Sequence, residues 1–110
     1  MSRELFGNFE LMVMLALIRL GDEAYGVPIS NAIEESTGRP VLVGSVYAAL
    51  ERLEEKGFVS SSIGEATAER GGRAKRYFQV TAKGLRQVRE TRRALIKLWQ
   101  RIPALRGGTA

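Results

Sequence analysis

Residues 44–58 read GSVYAALERLEEKGF and predict a short amphipathic helix that ends at Gly57. Its apolar residues recur at helical spacing and so share one face: Val46, Ala49, Leu50 and Leu53. On the N-terminal side, Gly44, Ser45 and Ala48 are small enough to let the helix backbone approach base edges in a DNA major groove. Periodicity alone also fits an ordinary amphipathic helix packed on a small core.

A β-hairpin is predicted directly after this helix. Residues 58–63, FVSSSI, are typical of a strand, residues 64–72 of a loop, and residues 73–80, RAKRYFQV, of a returning strand. Alternation places Phe78 and Val80 on one face, which can pack on the helices. Four basic residues near the loop are candidate phosphate contacts: Arg70, Arg73, Lys75 and Arg76. Together these features predict a winged helix-turn-helix, mainly α with a two-stranded wing.

The residues ahead of this segment predict a long apolar first helix. It spans residues 9–20, with Asn8 as its N-cap and Gly21 at its end. Residues 11–18, LMVMLALI, leave no polar face in its middle, so we expect burial on more than one side. A second subunit is the simplest cover for that surface. The alternative is a helix wrapped entirely by its own domain.

A second helix is predicted to begin at Asp22 or Glu23 and to close at Thr37 and Gly38. We expect four of its apolar residues to pack inward: Val27, Ile29, Ala32 and Ile33. With the helix of residues 44–58 it forms the helix-turn-helix pair.

Two tyrosines each allow two interpretations. The ring can anchor the core while the hydroxyl reaches a neighbour, or the hydroxyl can donate a hydrogen bond to a phosphate. We expect a core position with an exposed tip for Tyr25 and a DNA-backbone contact for Tyr47. Arg52, outside the apolar face of its helix, is a further candidate for DNA binding.

The last predicted helix begins after Thr81, its N-cap, and runs from residue 82 to about residue 101, before Pro103. Apolar residues form a seam along it, interrupted by Arg92: Leu85, Val88, Leu95, Trp99 and Ile102. The seam is too short for a stable coiled coil, so we expect this helix to share one dimer interface with the first helix. A surface helix of a monomer is the alternative.

Composition excludes several classes of function. A chain of 110 residues suits one domain, and it contains neither cysteine nor histidine. Without them, disulfides, thiol nucleophiles and the commonest metal ligand are excluded, so no metal, cofactor or enzymatic activity is expected. The apolar run of the first helix is short and interrupted by Glu10 and Arg19, which argues against a membrane span or signal peptide and for a cytoplasmic protein.

Charge is distributed unevenly along the chain. Residues 1–69 contain five basic and eleven acidic residues, whereas residues 70–110 contain twelve basic residues and only Glu90 as an acid. The corresponding balances are −6 and +11, within a net charge of +5. Such a positive region suits the phosphates of nucleic acid. Beyond Lys83, a well-solvated basic helix is an equally good explanation.

Four segments together resemble the PadR family of bacterial transcriptional regulators. They are FELMVMLALI from Phe9, AYGVPI from Ala24, GSVYAALERLEEKGFV from Gly44, and GGRAKRYFQVTAKG over residues 71–84. Their order and spacing make the resemblance specific, and it extends over about residues 5–98. The chain departs from the family at Leu42 and Val43, where a Ser cap and an acidic residue are frequent, and at Ala48, where proline is frequent.

The resemblance implies a dimer formed through the first and last helices, repression of transcription, and the short subgroup without an added C-terminal domain. It also allows a small planar apolar ligand in the dimer interface. Candidate residues for that interface or ligand are Phe6, Phe9, Met12, Val88, Leu95, Trp99 and Ile102.

The sequence thus predicts a homodimeric DNA-binding regulator that acts as a repressor on a pseudo-palindromic operator in double-stranded DNA. Residues 1–80 form the winged helix-turn-helix, residues 81–102 the dimerisation helix and residues 103–110 a flexible tail. Two alternatives stay open. One is a winged-helix module that binds another protein, and the other is a ligand-binding dimer whose DNA contact is secondary.

Overall fold

The computed structural model of the protein describes residues 6–64 and 75–106. These residues form α1 (Asn8–Leu20), α2 (Gly26–Thr37), α3 (Val43–Glu55), β1 (Val59–Ile63), β2 (Arg76–Val80) and α4 (Ala82–Trp99). The two strands pair as an antiparallel hairpin. The predicted winged helix-turn-helix is confirmed. No helix within the described ranges is both long and apolar enough to cross a bilayer.

The core lies where α1, α2 and α3 pack on one another and on the hairpin. The four apolar residues predicted for one face of α3 are all fully buried. Phe78 of β2 is also fully buried, and its backbone N–H donates to the Ala24 carbonyl across 2.8 Å. Burying a side chain of this size stabilises the fold by about 1.5–3 kcal/mol. Phe78 therefore holds the hairpin against the helices.

The hairpin register follows the predicted alternation. Val59 pairs with Val80 and Ser61 with Phe78. Phe78 faces the core while Gln79 is exposed. Both strands are shorter than predicted, since they begin at Val59 and Arg76. The centre of the loop, including the candidates Arg70 and Arg73, lies outside the described residues. The sequence also predicts disorder for residues 1–4 and 106–110, and of these only Arg106 lies within the described residues.

Two predicted helix starts are wrong. Gly7, with extended backbone, is the N-cap of α1, so Asn8 is the first helical residue and not its cap. Residues 21–23 form a separate 3₁₀ turn, and α2 begins only after Tyr25. The acidic pair that resembles a helix start therefore belongs to that turn.

The predicted ends of the helices are partly confirmed. Gly38 caps α2 with a left-handed backbone, and Gly57 adopts φ +82° directly after the α3 cap, Lys56. Val27 was predicted to pack inward but is 49% exposed, whereas Ile29 and Ile33 are buried. The last helix ends at Trp99 rather than near residue 101. Gln100 already has extended backbone and Arg101 a φ of +65°, while the proline restriction acts only on Ile102, which is also extended.

The start of α4 is fixed in a tight corner against the end of α3. The Thr81 hydroxyl accepts a hydrogen bond from the Gly84 backbone at 3.0 Å and donates one to the Gly57 carbonyl at 2.7 Å. The predicted cap is therefore confirmed. Gly84 lies so close to β1 that a Cβ there would be 2.1 Å from the Phe58 carbonyl oxygen. Only glycine fits this contact.

Candidate nucleic-acid interface

The exposed face of α3 carries three of the predicted DNA-binding residues. Ser45, Ala48 and Arg52 follow one another at intervals of three and four residues, so they lie on one side of the helix, and all three are exposed. Gly44 is exposed beside them, and a Cβ built there would meet no atom within 4 Å. The N-terminal end of this side of α3 therefore carries little side-chain bulk, as close approach to a duplex requires.

Arg52 is already partly engaged. Its Nε donates to Oε2 of Glu10 on α1 across 3.3 Å. The Arg52 side chain nevertheless remains 53% exposed. The terminal nitrogens of a guanidinium provide further donors, so Arg52 can hold Glu10 and still offer hydrogen bonds to a phosphate.

Tyr47, predicted to contact the DNA backbone, packs inside the helix-turn-helix. Its ring lies 6.2 Å from the ring of Phe78, and a Cβ placed on Gly26 would be 2.4–2.7 Å from its ring and hydroxyl atoms. The absence of a side chain at Gly26 thus lets α3 approach the start of α2. The structure gives Tyr47 a role in setting the angle between the two helices, and a phosphate contact by it stays a prediction.

Tyr25 has a half-buried ring, as predicted, and its hydroxyl has a partner at the base of the wing. Lys75 Nζ donates to that hydroxyl at 2.7 Å and lies 4.0 Å from the ring centroid. The edge of the Tyr77 ring packs on the same tyrosine, with the centroids 5.4 Å apart. Lys75 is therefore positioned by the protein and is not a freely moving surface cation.

Arg76 is also held, by a carboxylate of α3. Its Nη2 donates to Oε1 of Glu54, whose Oε2 accepts a hydrogen bond from the Ser61 hydroxyl at 2.7 Å. Glu54 thereby ties both wing strands to α3. Both side chains of this ion pair remain about one-third exposed, so solvent and an approaching phosphate can compete for Arg76.

The structure places the α3 candidates on the side of the helix where Arg52 meets Glu10, and the two described wing candidates beside Tyr25 and Glu54. Glu54 lies about 160° around α3 from Arg52, so the two groups flank the helix on different sides. The structure also adds three residues that the sequence patterns did not indicate. Glu10 and Glu54 position Arg52 and Arg76, and Gly26 admits the Tyr47 ring. The only sequence signal for Gly26 was its place in the AYG motif.

A second surface, an apolar groove between α1 and α4, is lined by three of the seven residues predicted for the dimer or ligand interface: Val88, Leu95 and Trp99. It has a volume of about 650 Å³. The residues that line it are Leu11, Leu15, Val88, Arg92, Leu95, Ile96, Trp99 and Gln100. Leu15 is 49% and Trp99 62% exposed, so the groove is an uncovered apolar surface in the single chain.

Not all predicted interface residues line this groove. Phe9 and Met12 line a separate depression beside the α2–α3 connection, and Phe6 packs edge-on against Phe58 with the centroids 5.1 Å apart. In one chain, the α1 side of the groove is instead formed by Leu11 and Leu15. Ile102 lies beyond α4 and is 38% exposed.

Several solved structures share this architecture. A PadR-like transcription factor from Bacteroides fragilis is 27% identical, with a TM-score of 0.71 over 82% of each chain. A PadR family regulator from Eggerthella lenta is 28% identical, with a TM-score of 0.63 over 79% of this chain and 73% of that one. A PadR family regulator from Clostridium difficile shares the fold, at 22% identity and a TM-score of 0.72 over 84% and 91%.

Among curated proteins, no significant match was found. The model of the transcriptional regulator PadR-like family matches residues 14–90, which is more than half of the chain and includes α2, α3 and the wing. The chain therefore belongs to the PadR-like family of transcriptional regulators.

Proposed function

We propose that this protein is a homodimeric, sequence-specific DNA-binding regulator that acts in the cytoplasm as a repressor. The observation that carries the proposal is the exposed small-residue side of α3, a helix that the Glu54–Arg76 ion pair joins to the wing through its other flank. A helix with short side chains at Ser45 and Ala48 can enter a major groove deeply enough for its backbone and neighbours to reach base edges. Repression, by blocking promoter access, is supported by the family resemblance alone.

The proposed dimer is supported by the groove between α1 and α4. Monomeric proteins rarely expose a large contiguous apolar surface, and this groove joins Leu15 to Leu95 and Trp99. A second copy of α4 packed there would cover these side chains. In this proposal residues 1–80 bind DNA, residues 81–102 dimerise and residues 103–110 form a tail.

A two-fold symmetric dimer reads a pseudo-palindrome. Its half-sites should lie about one or two helical turns apart, on the order of 10 or 20 base pairs. Light scattering at micromolar concentration should give the mass of two chains. A monomer mass at that concentration would contradict the dimer.

A division of labour between helix and wing provides the main test. Replacing Lys75 or Arg76 by Ala removes a cation at the base of the wing. Binding should then weaken for all duplex sequences alike, and the slope of log K against log salt should fall in magnitude by roughly 1 for each phosphate that the variant no longer binds. Replacing Ser45 or Ala48 by Gln should instead change the preferred sequence and leave the salt slope in place.

Two controls sharpen this experiment. Ile63→Gln changes an exposed side chain of the wing, 68% accessible, without changing charge, and should leave both readouts at their wild-type values. Circular dichroism of each variant establishes that the fold is retained. An unchanged salt slope in the Lys75 and Arg76 variants would contradict phosphate binding by the wing. A preferred sequence that the α3 changes leave unaltered would contradict base readout by α3, and the absence of any preferred sequence would favour a winged-helix module with another partner.

A planar apolar ligand in the groove is a second proposal, supported by the exposed Trp99 at its lining. Aromatic planes and flexible apolar side chains can hold a flat guest by stacking. Titration with planar cationic dyes should quench Trp99 emission saturably and weaken duplex binding in parallel, because only a ligand that prefers the DNA-free geometry shifts the equilibrium. Quenching with unchanged DNA affinity would leave Trp99 as a structural residue.

A further inference from the structure

One side of α4 carries a row of exposed cations without a charged partner. Four cations follow one another at spacings of three and four residues, and all are exposed; we call them the cationic ridge: Arg86, Arg89, Arg93 and Lys97. Within residues 6–64 and 75–106, none of them forms an ion pair or a side-chain hydrogen bond. Glu90, the one acid of α4, is half-buried and lies beyond ion-pair distance.

The ridge differs in this respect from the surface of α3 and the wing. There, Arg52 is paired with Glu10 and Arg76 with Glu54. In addition, α3 contains three glutamates and a single arginine, so its own balance is negative. Long-range attraction of a polyanion therefore draws on charge elsewhere in the protein, and among the described residues α4 is one source of it.

The ridge is also separate from the apolar groove. With 100° per residue along a helix, its centre lies roughly 145° around the α4 axis from the side that carries Val88, Leu95 and Trp99. Covering the groove with a second copy would therefore leave the ridge open to solvent. Three ridge residues border a shallow depression whose other lining residues, Arg92 and Ile96, also form one edge of the groove.

The spacing of the ridge fits a linear polyanion. At 1.5 Å per residue, the four cations extend over about 16 Å of helix. One strand of a duplex presents a phosphate about every 3.4 Å of axis while winding around it, so a ridge of this length can meet several phosphates on the side of the duplex that faces it. Guanidinium groups, which make up three of the four positions, bind phosphate oxygens through paired N–H donors.

We propose that the cationic ridge binds the sugar–phosphate backbone of duplex DNA without sequence preference, as a second contact surface besides α3 and the wing. The inference rests on the proposed function for the identity of the partner. A membrane surface fits less well, because an interfacial helix inserts an apolar face next to its cations. Here Val88, Leu95 and Trp99 line the groove, roughly 145° from the ridge, and Ile96 is the one apolar residue lining the depression beside the ridge.

The test compares two variants with equal charge change. One replaces Arg86, Arg89 and Arg93 by Gln. The matched control replaces three cations outside the ridge and outside the α3 and wing surface: Arg19, Arg101 and Arg106. Binding of a random-sequence duplex is measured by fluorescence anisotropy between 50 and 200 mM salt. A third variant, with Lys at the three ridge positions, retains the charge.

The ridge variant should show a salt slope smaller by about 0.9 per phosphate contact, or roughly 2.7 for three contacts. Over a fourfold rise in salt, the wild-type affinity should then fall roughly 40-fold further than that of the variant. The matched control should retain most of the wild-type slope, and the Lys variant should retain nearly all of it. The ratio of specific to random binding should be unchanged, since the ridge reads no bases.

A wild-type slope in the ridge variant, or an equal decrease of the slope in the matched control, would overturn the proposal. Binding to phosphatidylglycerol vesicles is measured in parallel for the wild type and the ridge variant. If the ridge variant loses vesicle binding while its duplex binding is unchanged, the ridge binds a membrane surface and the proposal is also overturned. Failure of the proposed function looks different. In that case no duplex sequence is preferred and Ser45 substitutions change nothing, while the random-duplex slope still depends on the ridge.

Discussion

Replacement of Gly84 by Ala tests the corner where α4 meets the hairpin. The new Cβ would lie 2.1 Å from the carbonyl oxygen of Phe58, 2.9 Å from its carbonyl carbon and 3.1 Å from Cγ2 of Val80. Ordinary contact begins at 3.4 Å, so α4 and the start of β1 must separate by about 1.3 Å. The nearest atoms belong to the backbone, which cannot rotate away as a side chain can.

The expected loss of stability follows from three contributions. Overpacking costs about 1–3 kcal/mol, and a backbone contact belongs near the upper end. Separation also strains the hydrogen bond from the Thr81 backbone to the Phe58 carbonyl, 3.1 Å, which contributes about 1 kcal/mol. The higher helix propensity of alanine relative to glycine offsets about 0.5–1 kcal/mol of this loss in the free energy of unfolding. The free energy of unfolding should therefore fall by about 2–3 kcal/mol.

Gly44→Ala is the matched control, because it is the same substitution in the first turn of another helix where a Cβ meets nothing within 4 Å. It should raise the free energy of unfolding by about 0.5 kcal/mol. Urea denaturation at one protein concentration measures both variants, since the stability of a dimer depends on concentration. Equal stability of the two variants, or a Gly84→Ala protein as stable as wild type, would refute the reasoning about this corner.

Three further substitutions give distinct outcomes. Thr91 of α4 is 2% exposed, and its hydroxyl has no hydrogen-bond partner among the described residues. Thr91→Val should therefore raise the free energy of unfolding, measured by urea titration, by about 1 kcal/mol. A decrease would show that the hydroxyl is satisfied. Glu54→Gln removes the charge that competes with a phosphate for Arg76. Random duplexes should then bind more tightly with an unchanged salt slope, because Arg76 already makes its phosphate contact in the wild type, and weaker binding would contradict this. Leu15→Glu should dissociate the dimer in light scattering with the fold retained, whereas Ile63→Glu should remain a dimer; equal masses would place the interface elsewhere.

Local patterns were sufficient to predict much of the fold. Helical spacing identified the buried face of α3, strand alternation identified Phe78 as the core residue of β2, and residue type identified the Thr81 cap. These features depend on residues close together in the chain. The start of α2 was predicted wrongly for the same reason, because Asp22 and Glu23 suit a 3₁₀ turn as well as a helix start.

The site was less predictable, since its arrangement depends on distant residues. Arg52 meets Glu10 across 42 positions and Arg76 meets Glu54 across 22 positions. No periodicity connects such pairs, so both arginines resembled free phosphate contacts in the sequence. The packing of Tyr47 against Gly26 likewise requires the angle between α2 and α3, which only the assembled core defines.

The central claim is that α3 and the wing of a symmetric dimer read a DNA sequence. Selection of bound fragments from a random duplex pool, followed by sequencing, tests it most directly. The proposal predicts one enriched motif with two-fold symmetry and half-sites about 10 or 20 base pairs apart, and a different motif when Ser45 is replaced by Gln. A pool that shows no enriched motif, or a motif that is unchanged by the Ser45 replacement, would contradict the claim.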